Sequence, residues 1–552
     1  MKKLIFILSA FTFLRQLFLI LLIMFSTYSM KSYGQISPLW QVSYNDSLPE
    51  DNFAVKSRID YEDNIVILAR GSNSSLGTGV DFILIKYNAN GEKLWNRRFN
   101  GTGNSSDYPA DMVIDKYNNI YVAGRSWGGS STKNDYLTLK YNPAGELLWS
   151  RRFDWLVSRN DVAYAIALDS NENVYVTGYA TAAFNGNELY DMVTVKYNTE
   201  GDQKWVRSFI GYGDASDWGY SINCDSKGNI LVSGFTRSLM TGHDIISVKY
   251  DSIGNIIWEK RFYNHGDDFI RPLFSRIDAN DNIIIASYYK GDSTLMDYLT
   301  FKYDSAGTLL WSRIYDGGIQ LNDWVNDIKI DYKNNIIVTG SSPGLGTSYD
   351  FLTIKYSPEG NILWQNRFND STNTNDEGTI VAVDSKENVL VFGTVNSEYS
   401  VVCYYNQNGK LISNFRNHSM KNAASINIDK NDFPVIVGLR DPKTITAKYL
   451  DIITNVLSSN SSYPDKYILQ QNYPNPFNPI TNLEYGISNR GFVNLIVYNS
   501  LGKVINKLVN EDNIQGTYKV KFDGSNLPSG IYFYSLFIKN NLIETKRMIL
   551  LK

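Results

Sequence analysis

Apolar and polar residues alternate in short runs from about residue 40 to residue 450, each run closed by Gly, Asn or Asp. A period of two bounded by turn formers predicts β-strands, and the recurrence of the same pattern predicts a repeat fold. One unit reads D-x-x-x-x-K-Y, then four turn residues, then an aliphatic run into Trp and a terminal aromatic. It occurs as DFILIKYNANGEKLWNRRF (81–99), DYLTLKYNPAGELLWSRRF (135–153) and DMVTVKYNTEGDQKWVRSF (191–209), with further copies starting at Asp244, Asp297 and Asp350. Its lysines, Lys86, Lys140, Lys196, Lys249, Lys302 and Lys355, lie 54, 56, 53, 53 and 53 residues apart. A second unit alternates with the first: an apolar strand, a D-x-x-x-N turn and a strand ending near Gly, as in IDKYNNIYVAG and LDSNENVYVTG.

Four short antiparallel strands per period make one blade of a β-propeller. The second unit occurs eight times, which predicts eight blades over roughly residues 36–450. The eighth copy stops after its third strand at Lys448-Tyr449, while LWQVSY (39–44) stands alone before the first copy. That N-terminal strand is expected to complete the last blade and remove the open edges of the array. A seven-bladed ring is the alternative if the seventh copy, with Tyr404 in the lysine position and Ser413 in the tryptophan position, is not a true blade. The series Trp40, Trp95, Trp149, Trp205, Trp258, Trp311 and Trp364 reads as packing between blades, because a Trp buries a large area.

These units resemble the bacterial β-propeller repeat family known as SBBP, over some four hundred residues. The segment Y-N-x-x-G-x-x-x-W is also similar to quinoprotein repeats, in which Gly makes the turn and Trp packs between blades. After Tyr449 the pattern ends in a polar stretch, ITNVLSSNSSYPD, and composition shifts. YILQQNYPNPFNPITNLEYGI (467–487), VNLIVYNSLGKVINKLV (493–509), LPSGIYFYSLF (527–537) and KRMILLK (546–552) resemble, in that order, a type A C-terminal sorting domain of type IX secretion cargo. Their alternation separately predicts a small Ig-like β-sandwich. The fold class is therefore all-β, a propeller followed by a sandwich.

At the N-terminus, Lys2 and Lys3 precede apolar runs that end in Ser32-Tyr33-Gly34, the pattern of a secretory signal peptide. Arg15 lies in the middle of the apolar stretch and argues against a retained membrane anchor. The expected organisation is a signal peptide (1–34), the propeller repeats (35–450), a linker (451–466) and the sorting domain (467–552). The resemblance implies export across the outer membrane of a Gram-negative bacterium of the Bacteroidota type by a type IX translocon. A sorting protease then cuts near the linker, and the product is either released or joined to surface lipopolysaccharide.

Composition narrows the chemistry. The chain has 552 residues, 39 Tyr, 26 Phe and 11 Trp, but 3 His and 2 Cys, with a net charge of -3. Scattered Lys and Arg exclude a nucleic-acid groove. Cys224 and Cys403 are far apart, so neither a disulfide framework nor a CxxC metal site follows. His243, His265 and His418 are isolated, which excludes a His-based metalloprotease centre. Gly124-Arg125-Ser126-Trp127-Gly128 matches a nucleophile elbow, but it follows a blade strand and precedes no helix. The turns opening at Asp169 and Asp278 begin like calcium loops and lack the Gly at position six and the Glu at position twelve. No cofactor is expected, with calcium at such turns left open. Quinoprotein dehydrogenases commonly carry an adjacent cysteine pair, and neither cysteine here has a neighbour.

An Asp stands eight residues before the turn Asp in several blades: Asp107, Asp161, Asp217, Asp323 and Asp376. Together with the Asp opening each third strand it predicts an acidic ring on one face, or else a set of caps between blades. Trp127, Trp155, Tyr190, Tyr212, Trp218 and Trp324 fall in or beside the same loops and would suit stacking on sugars. The resulting expectation is a monomeric secreted or cell-surface propeller that binds glycans or proteins. The alternatives are a polysaccharide lyase or hydrolase using carboxylates at the propeller mouth, and a surface scaffold.

Overall fold

The computed structural model describes residues 38–44, 52–72, 77–156, 159–184, 187–211, 216–238, 242–266, 273–290, 295–318, 321–344, 346–370, 374–417, 420–440, 443–450, 467–488, 491–513, 516–539 and 541–552. The expected signal peptide and linker lie outside the described residues. The chain divides into two compact units, residues 1–452 and 453–552. Among the described residues every regular element is a strand.

In the first unit the strands form eight four-stranded antiparallel sheets. Blade 1 is representative, with Asn52–Ile59, Ile65–Ser72, Val80–Tyr87 and Lys93–Phe99 in spatial order. The first strands of successive blades touch one another, and that of blade 8 (Asn422–Ile428) touches that of blade 1, so the ring is closed. Asn427 Nδ2 donates to Ser57 Oγ across this junction at 2.7 Å. Blade 8 takes its fourth strand from the other end of the chain: Trp40–Tyr44 pairs with Lys443–Lys448, Trp40 opposite Lys448 and Tyr44 opposite Thr444.

The repeated residues earn their places in the turns. In D-x-x-x-N, Asp60 Oδ1 accepts from the N–H of Glu62 (2.9 Å) and of Asn64 (2.8 Å), while Asn64 Nδ2 donates to Oδ2 at 3.0 Å. The short side chain thus replaces the ladder partners that the bend removes. The repeat lysine reaches back to the same carboxylate from the third strand, Lys86 to Asp60 at 2.8 Å and Lys302 to Asp278 at 2.8 Å, both pairs buried. Blade 7 has no lysine there, and Tyr404 substitutes for it: its hydroxyl donates to Asp384 Oδ2 at 2.7 Å.

Each tryptophan of the series clasps the next blade. Trp149 Nε1 donates to Thr199 O at 3.0 Å, Trp311 Nε1 to Pro358 O at 3.0 Å, and Trp40 Nε1 to Ala89 O at 3.0 Å. The ring lies flat on the glycine of the neighbouring Y-N-x-x-G turn. Gly145 has φ +78°, and a Cβ there would fall 2.8 Å from the Trp95 indole. The turn therefore requires Gly both for its left-handed backbone and for the close approach. Ser413 departs from the series for a plain reason: in blade 8 the third and fourth strands come from opposite ends of the chain, so no connecting turn exists for a tryptophan of blade 7 to cover.

The second unit has two sheets, Ile468–Leu469 with Ile480–Ile487 and Gly516–Asp523, and Val504–Asn513 with Gly491–Asn499, Gly530–Ile538 and Asn541–Leu550. Phe477, Leu483, Tyr485, Val497, Tyr534 and Met548 are buried in the core between them. The tail motifs meet here. Phe477 N donates to Ile549 O (2.9 Å), Asn475 Oδ1 accepts from Ile549 N (2.9 Å), and Tyr534 Oη donates to Gln470 O at 2.7 Å.

Candidate functional site

The first strands of all eight blades line a channel along the ring, with a volume of about 730 Å3. Inside a β-ring the first strand must place alternate side chains either between blades or towards the axis, so axial positions recur at fixed offsets from the turn Asp. Four residues before it stand Lys56, Asp111, Ser221, Asp327 and Ser425. Two residues before it stand Arg58, Arg276 and Lys329, a layer that holds three cations and no acid.

Within the channel Lys56 pairs with Asp111, and Asp327 is approached by Arg276 Nη2 at 3.7 Å and Lys329 Nζ at 3.9 Å. Arg58 donates from Nη1 to the adjacent Ser57 carbonyl at 3.4 Å. Four cations thus face two carboxylates. Asp327 favours the charged Lys329, but enclosure by the ring and the charges of Arg276, Arg58 and Lys56 together bring its pKa down to about 8. Enclosure also lowers Lys56, against the pull of Asp111, and lowers Arg58. The side chains of Arg276 and Lys329 nevertheless keep about a third of their surface open to the channel. Elsewhere on the channel wall Tyr164 and Tyr220 stack, with ring centroids 4.8 Å apart.

Asp107, Asp161, Asp217, Asp323 and Asp376 gather at the end of the ring opposite the D-x-x-x-N turns, and each is fully buried. Their oxygens serve backbone donors at the blade junctions. Asp161 Oδ2 accepts from Trp155 N (2.6 Å) and Oδ1 from Thr181 N (3.1 Å), while Asp376 Oδ2 accepts from Asp370 N at 2.6 Å. The third-strand aspartates face arginines of the fourth strand, Arg98 to Asp81 at 2.6 Å and Arg152 to Asp135 at 2.5 Å. Of the aromatic residues, Trp218 is buried against Tyr190 and His243, and Trp155 packs on Phe153. Trp127 and Trp324 are half-buried, and Tyr212 lies outside the described residues. At two equivalent junctions three carboxylates converge, Asp135 with Asp154 and Asp161, and Asp297 with Asp316 and Asp323. In the first, Arg152 already supplies a positive charge. The turn of Asp278 spends its oxygens on Asn280 N, Asn282 N, Asn282 Nδ2 and Lys302.

Burial pushes Asp161 and Asp376 up to about 7 and Asp217 up to about 6, so in the folded ring they hold protons that the unfolded chain releases near pH 4. The folded state therefore binds more protons than the unfolded state between those values, and stability falls as pH rises through that window. Thermal unfolding is expected at a higher midpoint at about pH 5 than at about pH 8, and the double substitution Asp161→Asn, Asp376→Asn should flatten the difference. A midpoint that rises steadily from the lower to the higher pH would refute the assignment.

A closed eight-bladed ring with a cation-lined axis and a separate sandwich defines the class, an all-β propeller protein with an appended domain. Residues 95–130 and 149–185 match the model of the Beta-propeller repeat, SBBP. Both matches begin at a clasping Trp and run into the following blade, so they span a blade junction. Residues 471–551 match the model of the Secretion system C-terminal sorting domain. Two segments of the chain thus match the SBBP propeller repeat and its C-terminal part matches a sorting domain of type IX secretion, which implies export to the cell surface or secretion in a Gram-negative bacterium and contact with that secretion machinery.

An uncharacterized WD repeat-containing protein of Acanthamoeba polyphaga mimivirus is 24% identical over 67% of this chain and 32% of its own length. The chain thus spans about a third of that relative. Among solved structures, a eukaryotic initiation factor aligns with TM-score 0.41 at 10% identity, over 87% of this chain and 91% of the other. The β-propeller domain of the Trilobed protease from Pyrococcus furiosus aligns with TM-score 0.36 at 8% identity, over 62% and 93%.

Proposed function

We propose that the exported ring is a binding protein of the cell surface or its surroundings, and that it holds its ligand in the central channel. The observation that carries this reading is the set of charged side chains on the channel wall. Asp111 and Asp327 tie neighbouring blades together through ion pairs and backbone donors, but the cations left in excess around the axis cost desolvation that no carboxylate there offsets, and an anion on the axis would give them a use. Binding is favoured over hydrolysis because the two channel acids, Asp111 and Asp327, are both engaged by cations. A glycosidase needs one carboxyl group protonated and a second at a defined distance. Sorting through residues 467–552, with removal of the tail near residues 453–466, completes the proposal on the delivery side.

The test is an array of bacterial and host polysaccharides probed with the secreted protein, alongside reducing-end and unsaturated-product assays on the same polymers. Retention without turnover is expected. Turnover that Asp111→Asn abolishes would replace the binding reading with the enzymatic one.

A further inference from the structure

From residue 35 to residue 462 the chain carries a net charge of -11, yet its channel gathers an excess of positive charge. Arg58 comes from blade 1, across the ring from the neighbouring blades 5 and 6 that supply Arg276 and Lys329. They are close enough that Arg58 and Arg276 each disfavour the charge on Lys329. Their layer contains no carboxylate, and of the two acids in the neighbouring layer Asp111 pairs with Lys56 while Asp327 is divided between Arg276 and Lys329. With six formal charges in the two layers, four positive and two negative, two positive charges are left over.

We propose that the middle of the channel is an oxyanion site, in which Arg58, Arg276 and Lys329 converge on one sulfate- or phosphate-type group. The proposal deepens the channel reading above and rests on it. Two guanidinium groups plus an ammonium suit a tetrahedral oxyanion, because Nη1 of Arg58 and of Arg276 is spent on a backbone carbonyl and the remaining fork donors, with the Lys329 point charge, can share its oxygens. A dianion matches the excess, whereas a single carboxylate leaves half of it uncompensated. The outside of the ring selects against long polyanions. At physiological salt a negative surface repels within about 8 Å, a distance that an extended nucleic acid cannot avoid and a compact group entering the axis can. The same group could arrive as the free ion or as a substituent on a saccharide, whose sugar face Tyr164 and Tyr220 elsewhere on the channel wall would suit.

The experiment uses the full chain in low-salt buffer, with inorganic sulfate and inorganic phosphate as probes in calorimetry and thermal unfolding. A sulfated oligosaccharide and its desulfated form are the second pair of probes. Both ions are expected to bind and to raise the unfolding midpoint. Arg58→Gln combined with Lys329→Gln should weaken binding by about tenfold or more, while Lys204→Gln on an outer strand should leave it unchanged. A readout that a merely structural role would not move is the sign in the absence of anion. Relief of like-charge repulsion should leave the double variant at least as stable as wild type without ligand, and less stable than wild type with it.

Tighter binding of the sulfated sugar than of the free ion would assign the substituent as the natural source, and equal binding would assign the free ion. Binding of neutral and sulfated sugars alike, unaffected by the double substitution, would overturn the oxyanion site while leaving the channel reading in place. Absence of any binding by the folded chain would overturn both.

Discussion

A chain that ends at Leu450 is expected to fold its ring, cross the inner membrane and stop there, with its signal outside the cell falling to a few per cent of wild type or less. The reason is that the recognisable residues of the tail are one folded object and not a linear tag. Phe477 of the NPFNP segment is buried against Phe522 and bonded to the last strand, Met548 and Leu550 of that strand are fully buried, Lys546 is half-buried, and Arg547 and Lys552 are left at the surface. A machine reading this tail meets a sandwich with a basic terminal strand. Phe477→Asp, which forces a charge into that core at a cost of about 3 kcal/mol or more, should act like the truncation although it deletes nothing. The measurement is fractionation of cells into periplasm, outer membrane and medium, followed by immunoblotting. Normal export of the truncated chain would overturn the sorting assignment.

Loss of residues 38–44 should be the most damaging small change to the ring. That strand contributes the fourth member of blade 8, the tryptophan that covers Gly91, and Tyr44, which is 5% exposed. Removing a half-buried Trp and a buried Tyr together costs about 5 kcal/mol by comparison with large-to-small substitutions, against a total stability of about 5 to 15 kcal/mol for a domain. The urea midpoint should drop to less than half of its wild-type value, and a synthetic peptide of residues 36–46 supplied in excess should restore part of it by mass action. An unchanged midpoint would show that the ring does not depend on its closing strand.

The architecture was legible because each blade repeats the same physical demands. The turn Asp, its lysine, the tryptophan and its glycine return at the period of the blade, and that is why the eighth blade could be completed on paper from LWQVSY. The two irregularities that left a seven-bladed ring open have local causes that only contacts display. Tyr404 replaces a lysine by donating to the same carboxylate, and Ser413 stands where no neighbouring turn exists. For the site, repetition points the other way. Asp107, Asp161, Asp217, Asp323 and Asp376 draw the eye because they recur, and they recur because each of these five junctions has a backbone N–H group to satisfy. Arg58, Arg276 and Lys329 do not form a motif, since each is an exception within its own blade. The available signal was a cation at the residue two before the turn Asp, in the innermost strand, where other blades carry Val113, Ala167 or Ala382. In a ring of repeats, departures from the repeat at axial positions are the better guide to a ligand.

The strand that closes blade 8 also sets how the ring responds to load. Leu39 N donates to Lys448 O at 2.7 Å, and the pairing then runs inward from Trp40 opposite Lys448 to Tyr44 opposite Thr444. Residue 38 and residue 450 therefore leave from the same end of one antiparallel pair. Tension applied between them opens this pair like a zipper, one rung at a time, at low force. Tension that enters through a ligand on the axis and leaves through residue 450 meets a different geometry. It passes along Lys443–Lys448, which is hydrogen-bonded to a strand on each side, and must shear several rungs at once. A ring held from its C-terminal side is thus mechanically strongest along the route from axis to tether, and weakest to traction on its own N-terminal strand.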